Sequence, residues 1–198
     1  MRRVTYSMSM SLDGYIVGPD GGFNWTAPDA EVFRFWTDEI REVGVHLLGR
    51  RLYETMLYWE TADRDASLGA PEREWAGLWK ALPKVVFSRT LETVRGTNTR
   101  LASDAPTAEI ERLRAGPGEG DIAIGGANLA AEAAASGLID EYRTMVYPVL
   151  VGGGTPYFPH REHRVDLELV EHRTYGSGVT YLRHRVTRRP RGRPGGPP

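Results

Sequence analysis

Three apolar runs in this sequence end on glycine or serine and pass at once to arginine or to a helical pattern: Leu48-Gly49-Arg50-Arg51, Phe87-Ser88-Arg89 and Ile124-Gly125-Gly126-Ala127. A helix that opens directly after a strand offers unpaired backbone N–H groups and the positive end of its dipole. Glycine lets the backbone approach an anion closely. Arg50 or Arg51, with Arg89, adds charge in a geometry that grips phosphate through paired hydrogen bonds. Taken singly, each motif has an ordinary reading: a Gly-Gly pair is a tight turn, surface arginines are solvated, and neither a GxGxxG nor a P-loop is present. Three of them in order, at three strand ends, point to an extended ligand with several phosphates, such as a dinucleotide. Such a ligand binds outside the carboxyl ends of the strands of an open sheet.

Groups suited to other chemistry are fewer. Asp13 precedes Gly14, and Asp29 follows Pro28 with Glu31 close behind. Each has a structural reading beside the chemical one, because Asp commonly caps helices and makes turns. His160 and His163, with His172, raise the question of a metal, but Arg161 and Arg164 flank them and repel a cation; no metal is expected. The absence of cysteine excludes a disulfide scaffold, a thiolate nucleophile and cysteine-ligated zinc or iron–sulfur centres. The tryptophans at 36, 59, 75 and 79 read as core or lid residues, Trp75 and Trp79 sharing one helix face. Trp25 lies in a loop before the first helix, where it can touch a ligand.

The elements that must position these groups follow from periodicity. Residues 4–10 alternate as a half-buried strand does, and Ser11-Leu12-Asp13-Gly14 ends it. Residues 15–18 extend briefly before the turn signal Pro19-Asp20-Gly21-Gly22. A helix is predicted over 29–43, where Val32, Phe33, Trp36, Ile40 and Val43 recur at helical spacing. Further helices are predicted over 50–59, 71–81, 104–114 with Asp104 or Thr107 as cap, and 127–136. Apolar runs at 45–48, 84–87 and 121–124 read as buried strands, 141–151 as a longer one, and 61–70 as a loop. Residues 166–174 and 178–186 alternate about a turn at 175–178, a closing hairpin. This order predicts one α/β unit whose sheet is mostly parallel and ends antiparallel, flanked by helices.

At 198 residues the chain can bury about 70% of its unfolded surface, so its core needs no cross-links. Hydrophobic residues at 40% and charged residues at 26% fit a soluble globular protein. The net charge of −1 conceals an asymmetry: residues 187–198 hold four arginines and no acid, leaving 21 basic against 26 acidic residues elsewhere, a net −5. A body of that sign is a poor general binder of nucleic acid. No run approaches the roughly 20 apolar residues of a membrane span, and the first ten residues lack the apolar run of a signal peptide. The expectation is a cytoplasmic protein with neither membrane nor nucleic-acid partners. Residues 190–198, rich in Pro, Gly and Arg, are expected to be disordered.

Five segments in order resemble a known family: residues 11–18 (SLDGYIVG), 49–54 (GRRLYE), 85–90 (VVFSRT), 124–129 (IGGANL) and 147–154 (YPVLVGGG). They look like the motif series of the dihydrofolate reductase-like fold, in the branch containing the RibD C-terminal reductase domain of riboflavin biosynthesis. The resemblance spans residues 3–185. It implies one dihydrofolate reductase-like domain over 1–186, followed by the tail at 187–198, and an oxidoreductase with NADPH as hydride donor. The implied substrate is a small heterocycle or ribosylamino-pyrimidine such as 5-amino-6-(5-phosphoribosylamino)uracil.

Carried over by position, Gly49, Arg50 and Arg51 hold the 2′-phosphate and adjoining phosphate. Leu52, standing where the family has a hydroxyl residue, contributes its backbone. Ser88 and Arg89 flank the adenine ribose, and Gly125, Gly126, Ala127, Asn128 and Leu129 receive the pyrophosphate. The folate enzymes place an acid near the start of the first helix, which implies Asp29 or Glu31. The riboflavin branch places its Ser-Leu-Asp-Gly segment by the substrate, which favours Asp13. Tyr15, Trp25 and Phe33 are expected beside the substrate, and burial is expected to raise the pKa of the acid that donates the proton. The branch is dimeric, and residues 142–150 with the closing hairpin offer apolar strands near a sheet edge. Two alternatives stay open: a dihydrofolate or pterin substrate, and a nucleotide-binding module without turnover. Folate reductases carry an arginine before the strand matching 85–87, where this chain offers only Lys84, which argues against folate. Bifunctional RibD proteins also carry a zinc deaminase domain with cysteine ligands, a chemistry that a cysteine-free chain cannot perform.

Overall fold

The alternation Val4-Thr5-Tyr6-Ser7-Met8-Ser9-Met10 places apolar side chains on one face of a strand and hydroxyls on the other. A computed structural model, which describes residues 1–158 and 164–187, sets that strand near the middle of a sheet. In chain order the elements are β1 (Val4–Ser11), β2 (Tyr15–Val17), α1 (Ala30–Arg41), β3 (Val43–Gly49), α2 (Arg50–Met56), α3 (Ala70–Ala81), β4 (Lys84–Phe87) and β5 (Thr99–Leu101). There follow α4 (Pro106–Ala115), β6 (Asp121–Gly125), α5 (Ala127–Ala135), β7 (Glu141–Tyr147), β8 (Thr155–Pro156), β9 (Leu167–Thr174) and β10 (Thr180–Val186). Eight strands pair in the order β5-β4-β3-β6-β1-β7-β10-β9, and β2 pairs with β8. The first six are parallel; β10 and β9 are antiparallel. The mixed, mostly parallel sheet with a closing hairpin is the predicted fold class.

The two faces of the sheet are filled differently. On one, Val4, Tyr6, Val45, Leu47, Ile122 and Ile124 pack against Ile110 of α4 and Leu129, Ala130 and Ala133 of α5. On the other, the apolar residues fall into two separate clusters. One joins Val32 and Phe35 of α1 to Met145 and Tyr181; the second joins Ile40 to Leu48, Trp79, Leu82 and Val86. Between them β1 and β6 offer Thr5, Ser7, Ser9 and Ala123, small or hydroxylated side chains that leave an open cleft.

Where the strands begin, the same face carries buried charge. The Arg143 side chain, 3% exposed, donates to Glu141 and Asp121 at 2.7 Å each and to Glu39 at 3.0 Å. Arg183 also pairs with Glu141, at 2.8 Å, and Arg3 with Asp121, at 3.0 Å. Burial alone would lower the Arg143 pKa, but Glu39, Glu141 and Asp121 outweigh it and hold the guanidinium charged.

Several boundaries differ from the predicted ones. α1 stops at Arg41, before Val43, because Val43 pairs with Asp121 and opens β3, with a register shift before Val45. Gly44 in that shift has no space for a side chain: a Cβ would lie 1.8 Å from the Glu119 carbonyl. The second helix ends at Met56 and tightens to a 3-10 turn at Leu57–Glu60. The loop at 61–70 contains a 3-10 turn at Ala62–Arg64. Neither Asp104 nor Thr107 caps α4; Ala105 is its N-cap, and Pro106 sets its first turn. β5 was not predicted, being three residues long within a polar stretch. β7 ends at Tyr147 because Pro148 has no N–H to extend the ladder. It is also no edge: β1 and β10 cover it, so its apolar residues are already used. Among the described residues no helix is long and apolar enough to cross a membrane, and no cluster of His, Asp or Glu could hold a metal. His160, His163 and the predicted disorder at 190–198 lie outside the described residues.

Replacing Arg143 by methionine should leave three buried carboxylates without their shared cation. Breaking such a pair costs about 3–5 kcal/mol, so urea unfolding should show a loss of that order. A change below 1 kcal/mol would show that the network is solvated and dispensable.

Candidate active site

The cleft is open, about 2010 Å³ in volume, and runs from the ends of β3, β4 and β6 along the hydroxyl face of β1 to α1. A single small-ligand pocket occupies roughly 300–1,000 Å³, so this cleft has room for a dinucleotide and a second molecule. Gly49, Arg50, Arg51, Leu52, Ser88, Arg89, Gly126, Ala127, Asn128 and Leu129 all line it. Residues 36 to 80 positions apart in the chain are thus brought together because β3 has β4 on one side and β6 on the other.

Glycine makes this junction possible. β3 and β6 run side by side with Leu48 opposite Gly125. A Cβ on Gly125 would sit 2.3 Å from the Leu52 side chain and 2.9 Å from the His46 ring. Gly125 therefore lies beneath Leu52, which fills by packing the place where a hydroxyl was expected. Gly126 has φ +103, a conformation that side chains rarely adopt, and a Cβ there would face the Gly49 N–H at 3.9 Å. The two helices consequently open next to each other. Neither α2 nor α5 has a side-chain N-cap, nor does α4, whose start also borders the cleft through Ala105 and Pro106. Their first N–H groups have no side-chain acceptor, whereas α1 is capped by Asp29. Arg50 is partly engaged, donating to Glu54 at 2.7 Å and Thr90 at 2.6 Å, while Arg51 and Arg89 are exposed. The Ser88 hydroxyl accepts from the Thr90 and Leu91 N–H groups, fixing the turn that carries Arg89.

The predicted acids have other duties. Asp13 accepts hydrogen bonds from Val151 at 3.1 Å and Gly152 at 2.8 Å, pinning the loop after β7. Asp29 accepts from Val32 at 2.8 Å as the cap of α1. Both carboxylates are exposed and neither lines the cleft. The predicted rise in pKa is not found. The Ser11 hydroxyl and the Gly152 and Val151 N–H groups lower Asp13, and the Val32 N–H and the Ser177 hydroxyl lower Asp29. Glu31 instead accepts from Gly176 at 3.1 Å. Of the expected substrate neighbours, Phe33 lines the cleft; Tyr15 pairs with Pro156; Trp25 lines a separate 270 Å³ pocket with Asp29 and Tyr147. Lys84 is 2% exposed and donates to the carbonyls of Trp79 at 2.6 Å and Leu82 at 2.9 Å. It closes the end of α3 and cannot grip a ligand tail.

Two cleft residues were missed. Glu39 lies on the sheet side of α1, and burial raises its pKa although Arg143 pulls it down. The signal was its place seven residues after Val32, on a face that should be apolar. His46 lies on the floor near Trp79, with ring centroids 5.7 Å apart, and burial pushes its pKa down to about 4.

Comparison with known proteins gives this arrangement a family. Residues 2–181 match the RibD C-terminal domain. The chain belongs to the RibD C-terminal domain family. Protein YyaP of Bacillus subtilis (strain 168) is 30% identical over 184 residues, 91% of this chain and 93% of that one. A putative riboflavin biosynthesis protein from Shewanella sp. PV-4 superposes with a TM-score of 0.71 at 20% identity, covering 95% of this chain and all of that one. A deaminase/5-amino-6-(5-phosphoribosylamino)uracil reductase from Thermotoga maritima gives 0.64 at 14% identity, covering 94% of this chain and 57% of that one. These structures share the RibD-type reductase fold with this chain.

The His46 environment fixes a pH dependence. An imidazole that stays neutral when folded but takes up a proton near pH 6.5 when unfolded favours unfolding as pH falls from 6.5 towards 4. At pH 5 this amounts to at most about 2 kcal/mol. Chemical unfolding at pH 7 and pH 5 should show a smaller acid loss for His46→Gln than for the wild type. Equal losses would mean that His46 titrates normally.

Proposed function

We propose that this chain is an NADPH-dependent reductase that adds hydrogen across a C=N or C=O bond of a small heterocycle. The observation that carries this reading is the convergence of uncapped helix starts with three arginines at one end of the cleft. The residues fit the phosphates of the dinucleotide. The N–H groups of Ala127, Asn128 and Leu129, at the Gly126 turn, suit the pyrophosphate. Arg51 suits the 2′-phosphate, since Arg50 is already braced by Glu54 and Thr90. Ser88 and Arg89 suit the adenine ribose beside them.

NADPH, when bound, supplies a hydride to the substrate carbon and leaves as NADP⁺; the substrate heteroatom takes a proton. Asp13 and Asp29 act by holding the loop after β7 and the start of α1, not as acids. Glu39 is the cleft carboxyl whose raised pKa suits a proton source. Ser7 and Ser9 offer hydroxyls along the floor to orient the substrate.

We also propose a homodimer. β9 is an outer edge of the sheet, and its Leu167 and Leu169 are 40% and 50% exposed. Bare apolar edge strands are ordinarily covered. Light scattering at micromolar concentration should give twice the chain mass, and Leu169→Glu should give the monomer. A monomeric wild type would remove the proposal.

The cofactor assignment is tested by calorimetry. NADPH should bind more tightly than NADH, and Arg51→Ala should erase most of the difference. A charge-assisted hydrogen bond is worth about 1.5–3 kcal/mol, roughly 10–100-fold in affinity. Equal wild-type affinities for the two nucleotides would contradict the assignment.

A further inference from the structure

The cleft beyond the arginines is walled by aromatic rings. Phe33 of α1, Trp59 of the 3-10 turn and Trp75 of α3 form a triangle with centroids 5.8 to 6.2 Å apart. Tyr58, 52% exposed, adds a fourth ring 5.1 Å from Trp59. All four line the cleft. Three elements distant in sequence each contribute an aromatic side chain, and such faces stack on any flat π system.

Three polar groups on residues that line the cleft are unpaired. The Trp75 indole nitrogen and the Thr5 and Ser7 hydroxyls are buried without a hydrogen-bond partner, and Thr5 is only 1% exposed. Buried polar groups are seldom left so.

The charges of the cleft are already committed. Its cations among the described residues are Arg50, Arg51, Arg89 and Arg143. The first three stand at the end read as the phosphate site. Arg143 is held by Glu39, Asp121 and Glu141. No further cation among the described lining residues is left for a second phosphate.

We infer that the substrate half of this cleft takes a flat, uncharged, fused-ring heteroaromatic compound and rejects a phosphorylated one. The inference rests on the reading of the arginine end as the cofactor site. It sets this chain apart from the phosphoribosylamino compound named for the Thermotoga maritima relative.

Equilibrium dialysis of the full chain against lumichrome, riboflavin and flavin mononucleotide tests it. The three carry closely matched tricyclic rings; riboflavin adds a ribityl chain, and flavin mononucleotide adds a phosphate to that. With NADP⁺ saturating, lumichrome and riboflavin should bind, and flavin mononucleotide should bind at least tenfold more weakly than riboflavin. Trp59→Ala and Tyr58→Ala should each weaken lumichrome at least fivefold. Tyr58 is exposed, so its truncation leaves the fold intact and decides the matter if the Trp59 variant fails to fold. Flavin mononucleotide matching riboflavin, lumichrome indifferent to Tyr58, or no binding by any of the three would overturn the inference. A separate titration shows whether NADP⁺ binds. If it does not, the cofactor reading falls, while lumichrome binding to the cofactor-free protein and its dependence on Tyr58 still decide the aromatic site.

Discussion

The site depends on one steric constraint: β3 and β6 are parallel neighbours, and β6 ends where a side chain cannot fit. Leu48 stands opposite Gly125, Leu52 covers the missing Gly125 side chain, and Gly126 takes a left-handed turn against Gly49. The chain can then leave both strands at once and start two helices at adjacent points. A Cβ at Gly125 would displace Leu52 and tilt α2; one at Gly126 would strain the turn that opens α5. Dipole, unpaired N–H groups and arginine charge coincide only because these turns are tight.

The opposite requirement operates deeper in the cleft. A face that must stay open cannot be sealed with large apolar groups, so β1 presents Thr5, Ser7 and Ser9 there while its other face carries Val4 and Tyr6. Stability is drawn instead from α4 and α5 on the far face and from the two clusters that flank the cleft. At the closed end the buried charges of Arg143, Glu141, Asp121 and Glu39 lock β6, β7 and α1 in register. Buried ion pairs add little net stability over apolar packing but penalise every arrangement that separates them. The network fixes α1, and with it Phe33, against the sheet.

Much of this was legible in the sequence because it depends on local rules. Strand alternation in residues 4–10, the glycines at 49, 125 and 126, and the hairpin turn at 175–178 each follow from backbone preference within a few residues. That the glycine turns and arginines of these strand ends share one cleft was legible for the same reason. The acids were not: Asp13 and Asp29 carry their ordinary turn and cap roles, and only the position of the loop after β7 shows what Asp13 holds. Glu39 was hidden because its partner, Arg143, lies 104 residues away. The aromatic wall was hidden likewise, since Phe33, Trp59 and Trp75 meet only when α1 and α3 pack together. β5 escaped because three residues are too few to show a period.

The central claim is that the adjoining starts of α2 and α5 hold the phosphates of NADPH. A crystal structure of the protein grown with NADP⁺ tests it most directly. The account predicts pyrophosphate oxygens within hydrogen-bond distance of the Ala127, Asn128 and Leu129 N–H groups, with the 2′-phosphate against Arg51. A dinucleotide seated elsewhere, or a 2′-phosphate clear of the Arg50–Arg51 turn, would contradict it.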